Sequence, residues 1–305
     1  MNWLSSKEQN GGGIFVDAIN SMIEINESQI INASANINGG FINMNLGSSI
    51  NIFSTNITFI RAFNKGSLIY TNQVIESIYL NENQIQCEQP DTEYDDDTNL
   101  QKSIYKYGGT IYAMNSNFIC SRLNTYQNCH NRNQGGMFYL QNSSLVEYNS
   151  TYINFSSVQG GVFYAIDSEL QINKTLFQNI KAFDGGLIYV EKSSNITLDS
   201  IETQNSIALN DGGLIYAIGR DESSSCIIKL INFNYFNQSI AYQNGGCFHF
   251  NHSLLLFQNN QPILIDNSRA LNTMFAIKGA FLLQQIQVFQ MSNQITCTIV
   301  QLKGE

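Results

Sequence analysis

A chain of 305 residues with 43% hydrophobic residues, two prolines and a formal net charge of −9 has enough apolar material for a core and too little proline for long disordered linkers. Six negative charges, Glu88, Asp91, Glu93, Asp95, Asp96 and Asp97, lie within ten residues, and Lys and Arg are scattered singly, so there is no basic stripe for a nucleic-acid partner. No stretch approaches the ~18 apolar residues of a membrane span, and residues 1–5 lack the charged start and apolar run of a signal peptide.

A glycine step followed by a short apolar strand, usually carrying a tyrosine, recurs along the chain. Loose copies begin at Gly12, Gly39 and Gly66. The clearest are Gly108-Gly109-Thr110-Ile111-Tyr112, Gly135-Gly136-Met137-Phe138-Tyr139, Gly160-Gly161-Val162-Phe163-Tyr164, Gly185-Gly186-Leu187-Ile188-Tyr189 and Gly212-Gly213-Leu214-Ile215-Tyr216. Two more begin at Gly245 and Gly279. From Gly108 to Gly212 the steps are 27, 25, 25 and 27 residues apart, which is one solenoid coil and too short for a propeller blade of ~40–45 residues.

Residues 160–185 serve as the type coil. Phe163 and Ala165 alternate with Tyr164, and the same register gives Phe138/Leu140, Ile188/Val190, Ile215/Ala217, Ile111/Ala113 and Phe248/Phe250 as inward pairs. Tyr70, Tyr112, Tyr139, Tyr164, Tyr189 and Tyr216 then share the opposite face, one above the next at the ~4.8 Å spacing of adjacent strands. Asp167-Ser168 turns the chain, as do Asn115-Ser116, Asn142-Ser143 and Lys192-Ser193. A second strand, Leu170-Gln171-Ile172, is echoed by Ile50-Asn51-Ile52, Ile196-Thr197-Leu198 and Phe118-Ile119-Cys120, with one face buried and one wet. The return passes through Asn-x-x-Ala at Asn32/Ala35, Asn179/Ala182, Asn205/Ala208 and Asn267/Ala270, where stacked amides bond to their copies above and below. Three short strands per coil, with no helical period, predict an all-β fold: a right-handed, single-stranded parallel β-helix solenoid of about ten coils of ~25–27 residues. The L-x-x-L-x-L-x-x-N of a leucine-rich repeat is absent.

Residues 1–305 read as one solenoid. The 43 residues from Lys65 to Gly108 exceed one coil and place an acidic loop insertion at 87–103, where Asp95, Asp96 and Asp97 are weak candidates for Ca²⁺ without the ligand spacing of an EF-hand. Lys303-Gly304 repeats the Lys65-Gly66 and Lys278-Gly279 steps, which suggests a fragment of a longer protein. Of Cys87, Cys120, Cys129, Cys226, Cys247 and Cys297, most read as small core hydrophobes, the alternative being one disulfide between neighbouring coils. Cys120 is expected where another coil has Ile172. Ten N-x-[ST] sequons occur, in modest excess over chance, with Asn56, Asn142, Asn173, Asn195 and Asn237 as glycosylation candidates.

The Gly-Gly-aliphatic step and the upstream segment Phe177-Gln178-Asn179-Ile180-Lys181-Ala182 resemble the repeats of polymorphic outer-membrane-protein type β-helices within the pectin-lyase-like superfamily, as in large β-helical surface proteins of protists. The likeness is one of repeat style and covers nearly the whole chain. It implies an extracellular adhesive or scaffolding surface.

The same superfamily carries polysaccharide lyases and hydrolases, and glycoside hydrolysis needs two carboxyl groups at a set separation. The candidates are Asp167 and Glu191, near corresponding turns, and the better-aligned Asp184 and Asp211, each preceding a Gly-Gly step; Asn38, Lys65, Gln134, Gln159 and Asn244 at the position of the second pair mark it as a generic polar turn. The Asn-Thr-Asp, His-Gly and Arg-Ile-Lys motifs of pectin-depolymerising relatives are absent. His249 takes a tyrosine-ladder position, and His252 would face the other way, so the two do not clamp one metal. No cofactor is expected.

The expected function is therefore non-enzymatic: an extracellular or surface β-helix acting as a structural spacer or adhesive module for a glycan or protein ligand, with any membrane anchor outside this chain. Tyr112, Tyr139, Tyr164, Tyr189 and Tyr216 are the candidate ligand face, since aromatic rings engage sugars. A carbohydrate-active enzyme and an intracellular solenoid scaffold are the alternatives.

Overall fold

The computed structural model describes residues 10–258, apart from 63, 88–108, 132, 221–224 and 233, together with the strands Ile263–Asp266, Arg269–Ala270, Thr273–Lys278 and Gln290–Met291. The described residues contain strands and no helix, and every strand pair is parallel. The chain is an all-β parallel solenoid. In the type coil the strands are Phe163–Ile166 (β1), Glu169–Asn173 (β2) and Leu176–Ala182 (β3). Each pairs with its counterpart one coil on: Phe163 with Ile188, Leu170 with Ile196, Phe177 with Thr203. Three parallel sheets thus enclose one continuous core. Nine glycines with φ between 60° and 74°, from Gly11 to Gly245, mark about eight turns. That is fewer than ten because nine described glycine steps bound eight complete turns, and the tenth step, at Gly279, lies outside the described residues.

The core follows the expected period. Phe163, Ala165, Leu170, Ile172 and Phe177 are buried, as are their equivalents in neighbouring coils. One register expectation fails. Leu170 aligns with Leu145 and Ile119 rather than with Phe118, so Ser121 takes the Ile172 column and Cys120 turns outward to a half-buried position opposite Val146. A slip of one residue exchanges the two faces of a strand, and nothing within Phe118-Ile119-Cys120 fixes which apolar residue leads.

Most of the described corners use a residue in the left-handed region. In the type coil these are Gly160, Asp167, Lys174 and Asn179, with φ of 65°, 47°, 48° and 56°. Glycine is required at the first. At Gly160 the chain combines a positive φ with an approach that would put a Cβ 1.9 Å from the Phe163 carbonyl oxygen. The following Gly186-type position is closed by the neighbouring coil, since a Cβ on Gly186 would lie 2.1 Å from the Gly213 carbonyl oxygen.

Polar rows join the corners from coil to coil. At the first corner the N–H of Ser116 donates to Ser143 Oγ (3.1 Å), that of Ser143 to Ser168 Oγ (3.1 Å) and that of Ser168 to Ser194 Oγ (3.2 Å). At the second, the N–H of Thr55 donates to Asn83 Oδ1 (3.0 Å), that of Asn83 to Asn124 Oδ1 (2.8 Å) and that of Asn124 to Ser150 Oγ (3.0 Å). Buried backbone donors are satisfied in this way without closing the chain on itself. Of the expected asparagine ladder, Asn179 and Asn205 take part at the third corner, together with Asn128 and Asn154: Asn154, Asn179 and Asn205 donate to Asn128, Asn154 and Asn179 at 3.0, 3.1 and 3.0 Å. Asn32 faces Phe59 in the next coil and has no such amide neighbour there, and Asn267 lies outside the described residues.

Candidate functional site

The predicted tyrosine ladder forms. Ring centroids are 5.5 Å apart for Tyr70–Tyr112, 4.2 Å for Tyr112–Tyr139, 5.1 Å for Tyr139–Tyr164, 5.3 Å for Tyr164–Tyr189 and 5.0 Å for Tyr189–Tyr216, with interplanar angles up to 19°. His249 continues it at 4.7 Å from Tyr216. The outer face of this sheet is not wet, however. Tyr112, Tyr139, Tyr164 and Tyr189 are between 2% and 8% exposed, because their faces cover one another and Met114, Ile166 and Ile218 pack along their edges. Inner and outer faces of the glycine-step strand are both buried, as parallel sheets favour. Stacking consumes the ring faces that a sugar would need.

The hydroxyl of Tyr164 donates to Glu191 Oε1 at 2.9 Å. Burial, and then the Glu191 charge, push the Tyr164 and Tyr189 phenols well up, so both stay neutral at physiological pH.

Asp184 and Asp211 do lie in adjacent coils, and both are engaged by backbone. Asp184 Oδ1 accepts from the Asp211 N–H at 3.2 Å and from Asn210 Nδ2 at 2.8 Å. Asp211 Oδ1 accepts from the Asn244 N–H at 2.9 Å and from Asn244 Nδ2 at 3.0 Å. Asp211 Oδ2 faces His249 Nδ1 at 3.5 Å. Burial raises the Asp184 carboxyl, with Asp211 adding to the rise and the Asn210 and Asp211 hydrogen bonds opposing it. These contacts are turn chemistry of the kind seen in the serine row. They bring two carboxyls and an imidazole to the end of the ladder.

The sequon residues are distributed over all three corners. Asn56, Asn142 and Asn195 are exposed, whereas Asn173 and Asn237 are half-buried. Asn142 and Asn195 line a shallow polar groove of about 300 Å³ with Ser144, Asp167, Glu169 and Ser193. Corner geometry accounts for several of the sequons. In Asn26-Glu27-Ser28, Asn173-Lys174-Thr175 and Asn251-His252-Ser253 the middle residue is the left-handed corner residue, with φ of 46°, 48° and 47°. Thr175 and Ser253 are buried just after it and bond back to the carbonyls of Asn173 and Asn251. The excess of N-x-[ST] is thus partly the signature of a corner.

Two features are placed only by the tertiary structure. Cys87 and Cys129 form a disulfide between adjacent coils, with Cα atoms 4.9 Å apart, so the alternative of one inter-coil disulfide holds for this pair, which the sequence did not single out, and the core expectation holds for buried Cys226 and Cys247. The second is Glu147, fully buried in the core. Sequence alternation places Glu147 inward, two residues after Leu145, which was the available signal.

The Ca²⁺ candidates Asp95, Asp96 and Asp97, with most of the 87–103 insertion, lie outside the described residues. Among those described, no group of three or more His, Cys, Asp or Glu side chains is placed to hold a metal ion, and no helix is long and apolar enough to cross a membrane. Scans against protein-family models, curated proteins and solved structures find no match for this chain.

Proposed function

We propose that this chain is a non-enzymatic segment of an extracellular or cell-surface protein, built on pectin-lyase-like β-helix repeats of the polymorphic outer-membrane-protein style and acting as a rigid spacer or adhesive module. The observation that carries the reading is that its conspicuous side chains are turned on neighbouring coils: tyrosines on tyrosines, serines on serine N–H groups, and Asp184 and Asp211 on the backbone of the next coil. Eight turns at ~4.8 Å give a rod of about 40 Å. The Cys87–Cys129 disulfide supports an oxidising compartment, against an intracellular scaffold. Any glycan or protein ligand would be met by the rod's exposed corners rather than by the ladder faces.

The test is twofold. Peptide mass spectrometry of the native protein after glycan release should show deamidated sequons and a Cys87–Cys129 cross-linked peptide, and incubation with acidic and neutral polysaccharides should yield no cleavage products. Unmodified sequons with reduced cysteines would return the chain to the intracellular scaffold. Cleavage lost on Asp184→Asn/Asp211→Asn substitution would establish the carbohydrate-active alternative.

A further inference from the structure

One column of the core runs Ile52, Leu80, Ser121, Glu147, Ile172, Leu198 and Leu230 through successive coils. Five positions are aliphatic and two adjacent ones are polar. Facing them, on the third sheet, Tyr126 stacks on Tyr152 at 4.7 Å and Tyr152 on Phe177 at 4.9 Å. The two phenols make this interruption of the core self-consistent. Tyr126 Oη lies 2.7 Å from Ser121 Oγ, Asn124 Nδ2 donates to the same Oγ at 3.0 Å, and Tyr152 Oη donates to Glu147 Oε2 at 2.6 Å. Glu147, Ser121, Tyr126 and Tyr152 are all 0% exposed. Glu147 Oε1 is buried and has no hydrogen-bond partner.

We propose that Glu147 is held in the core as the neutral acid and that this proton acts as a latch on the core packed around it, so that the solenoid is fastened in acid and loosened in alkali. An ionised carboxylate in this site would face no cation, and the hydrogen-bonding groups around it, Tyr152, Ser121, Ser150 and the Tyr148 backbone, would have to hold its charge alone. The titratable groups that face it are Tyr152 and Tyr126, whose phenols burial and the Glu147 charge itself push well up, and Cys120 on the neighbouring strand, raised by burial and by Glu147. Arg122, at the end of that strand, is exposed and lies over the Tyr148 ring at 5.8 Å, outside the core. Glu169, on the strand of the next coil, is also exposed and accepts from Gln171 at 2.9 Å. Burial outweighs the hydrogen bonds and raises the Glu147 carboxyl to about 7.

The sign follows from linkage. An acid raised in the folded state binds more protons folded than unfolded between its unfolded value and about 7, so stability is full at low pH and falls as pH rises through that window. With an unfolded value of ~4.5, the folding equilibrium constant should drop roughly 70-fold from pH 5 to pH 8 through this group alone.

The experiment is urea unfolding of the whole chain from pH 5 to pH 8, comparing wild type with Glu147→Gln, which keeps an acceptor for Tyr152 and cannot ionise. The wild type should lose roughly 70-fold more than the variant across this range. A carboxyl-carbon NMR titration of wild type, labelled at glutamate, reads the proton directly and needs no variant to fold. One glutamate titrating near neutrality supports the latch; parallel pH profiles, or every glutamate titrating below pH 5, overturn it.

Discussion

Breaking the Cys87–Cys129 bridge should destabilise the rod by an amount set by chain length. The bonded cysteines are 42 residues apart, and the loop between them contains the acidic insertion. For a loop of that size the chain-entropy relation gives about 13 cal/mol/K of configurational entropy withheld from the unfolded chain, or about 4 kcal/mol at 25 °C. Within the fold, Cys129 lies in the third-sheet strand Thr125–His130 and Cys87 directly follows the neighbouring strand Gln84–Gln86, at 1% and 6% exposure, so reduction leaves two thiols in apolar surroundings with little new exposure. The assay is urea unfolding followed by far-UV circular dichroism, on oxidised protein and on protein kept reduced. The oxidised form should be more stable by ~4 kcal/mol, and a Cys87→Ala/Cys129→Ala variant should resemble the reduced form and no longer respond to reductant. A difference under about 1 kcal/mol, or both cysteines labelling as free thiols in non-reducing denaturant, would refute the reasoning.

Gly186→Ala should cost about 3 kcal/mol or more by pushing apart two coils whose backbones leave no space for a Cβ, read as a lowered urea midpoint. Leu123→Gly should stabilise the chain by up to ~1 kcal/mol, since Leu123 is a non-glycine residue at φ 55° with its side chain 37% exposed; a lower midpoint would contradict it. Tyr164→Phe should cost ~1 kcal/mol for its hydrogen bond to Glu191, whereas Tyr164→Ala should cost ~3–5 kcal/mol for the stack. Asp184→Asn/Asp211→Asn keeps both Oδ1 acceptors, so its melting temperature should stay within a few degrees of wild type; a large drop would mean that their charge, and not the turn geometry, holds that corner.

The sequence alone determined the coil. A glycine step recurring at 25 to 27 residues from Gly108 to Gly212, an alternation that sends Phe163, Ala165 and Leu170 inward, and a tyrosine at the second position of most of these strands are local facts, and a parallel stack repeats them until they are legible. The ladder at Tyr112, Tyr139, Tyr164, Tyr189 and Tyr216 and the amide ladder through Asn179 and Asn205 follow from it, because in-register stacking puts equal positions one strand spacing apart. Tertiary structure decided whatever depends on position between coils. It closed the faces of the tyrosines, placed Ser121 rather than Cys120 in the core, and joined Cys87 to Cys129 across an insertion of irregular length. It also turned Asp184 and Asp211 into backbone acceptors and enclosed Glu147 under two phenols. Periodicity specifies which face a side chain takes, whereas burial and partnership depend on what the neighbouring coils bring to that face, and a single repeat does not contain its neighbours.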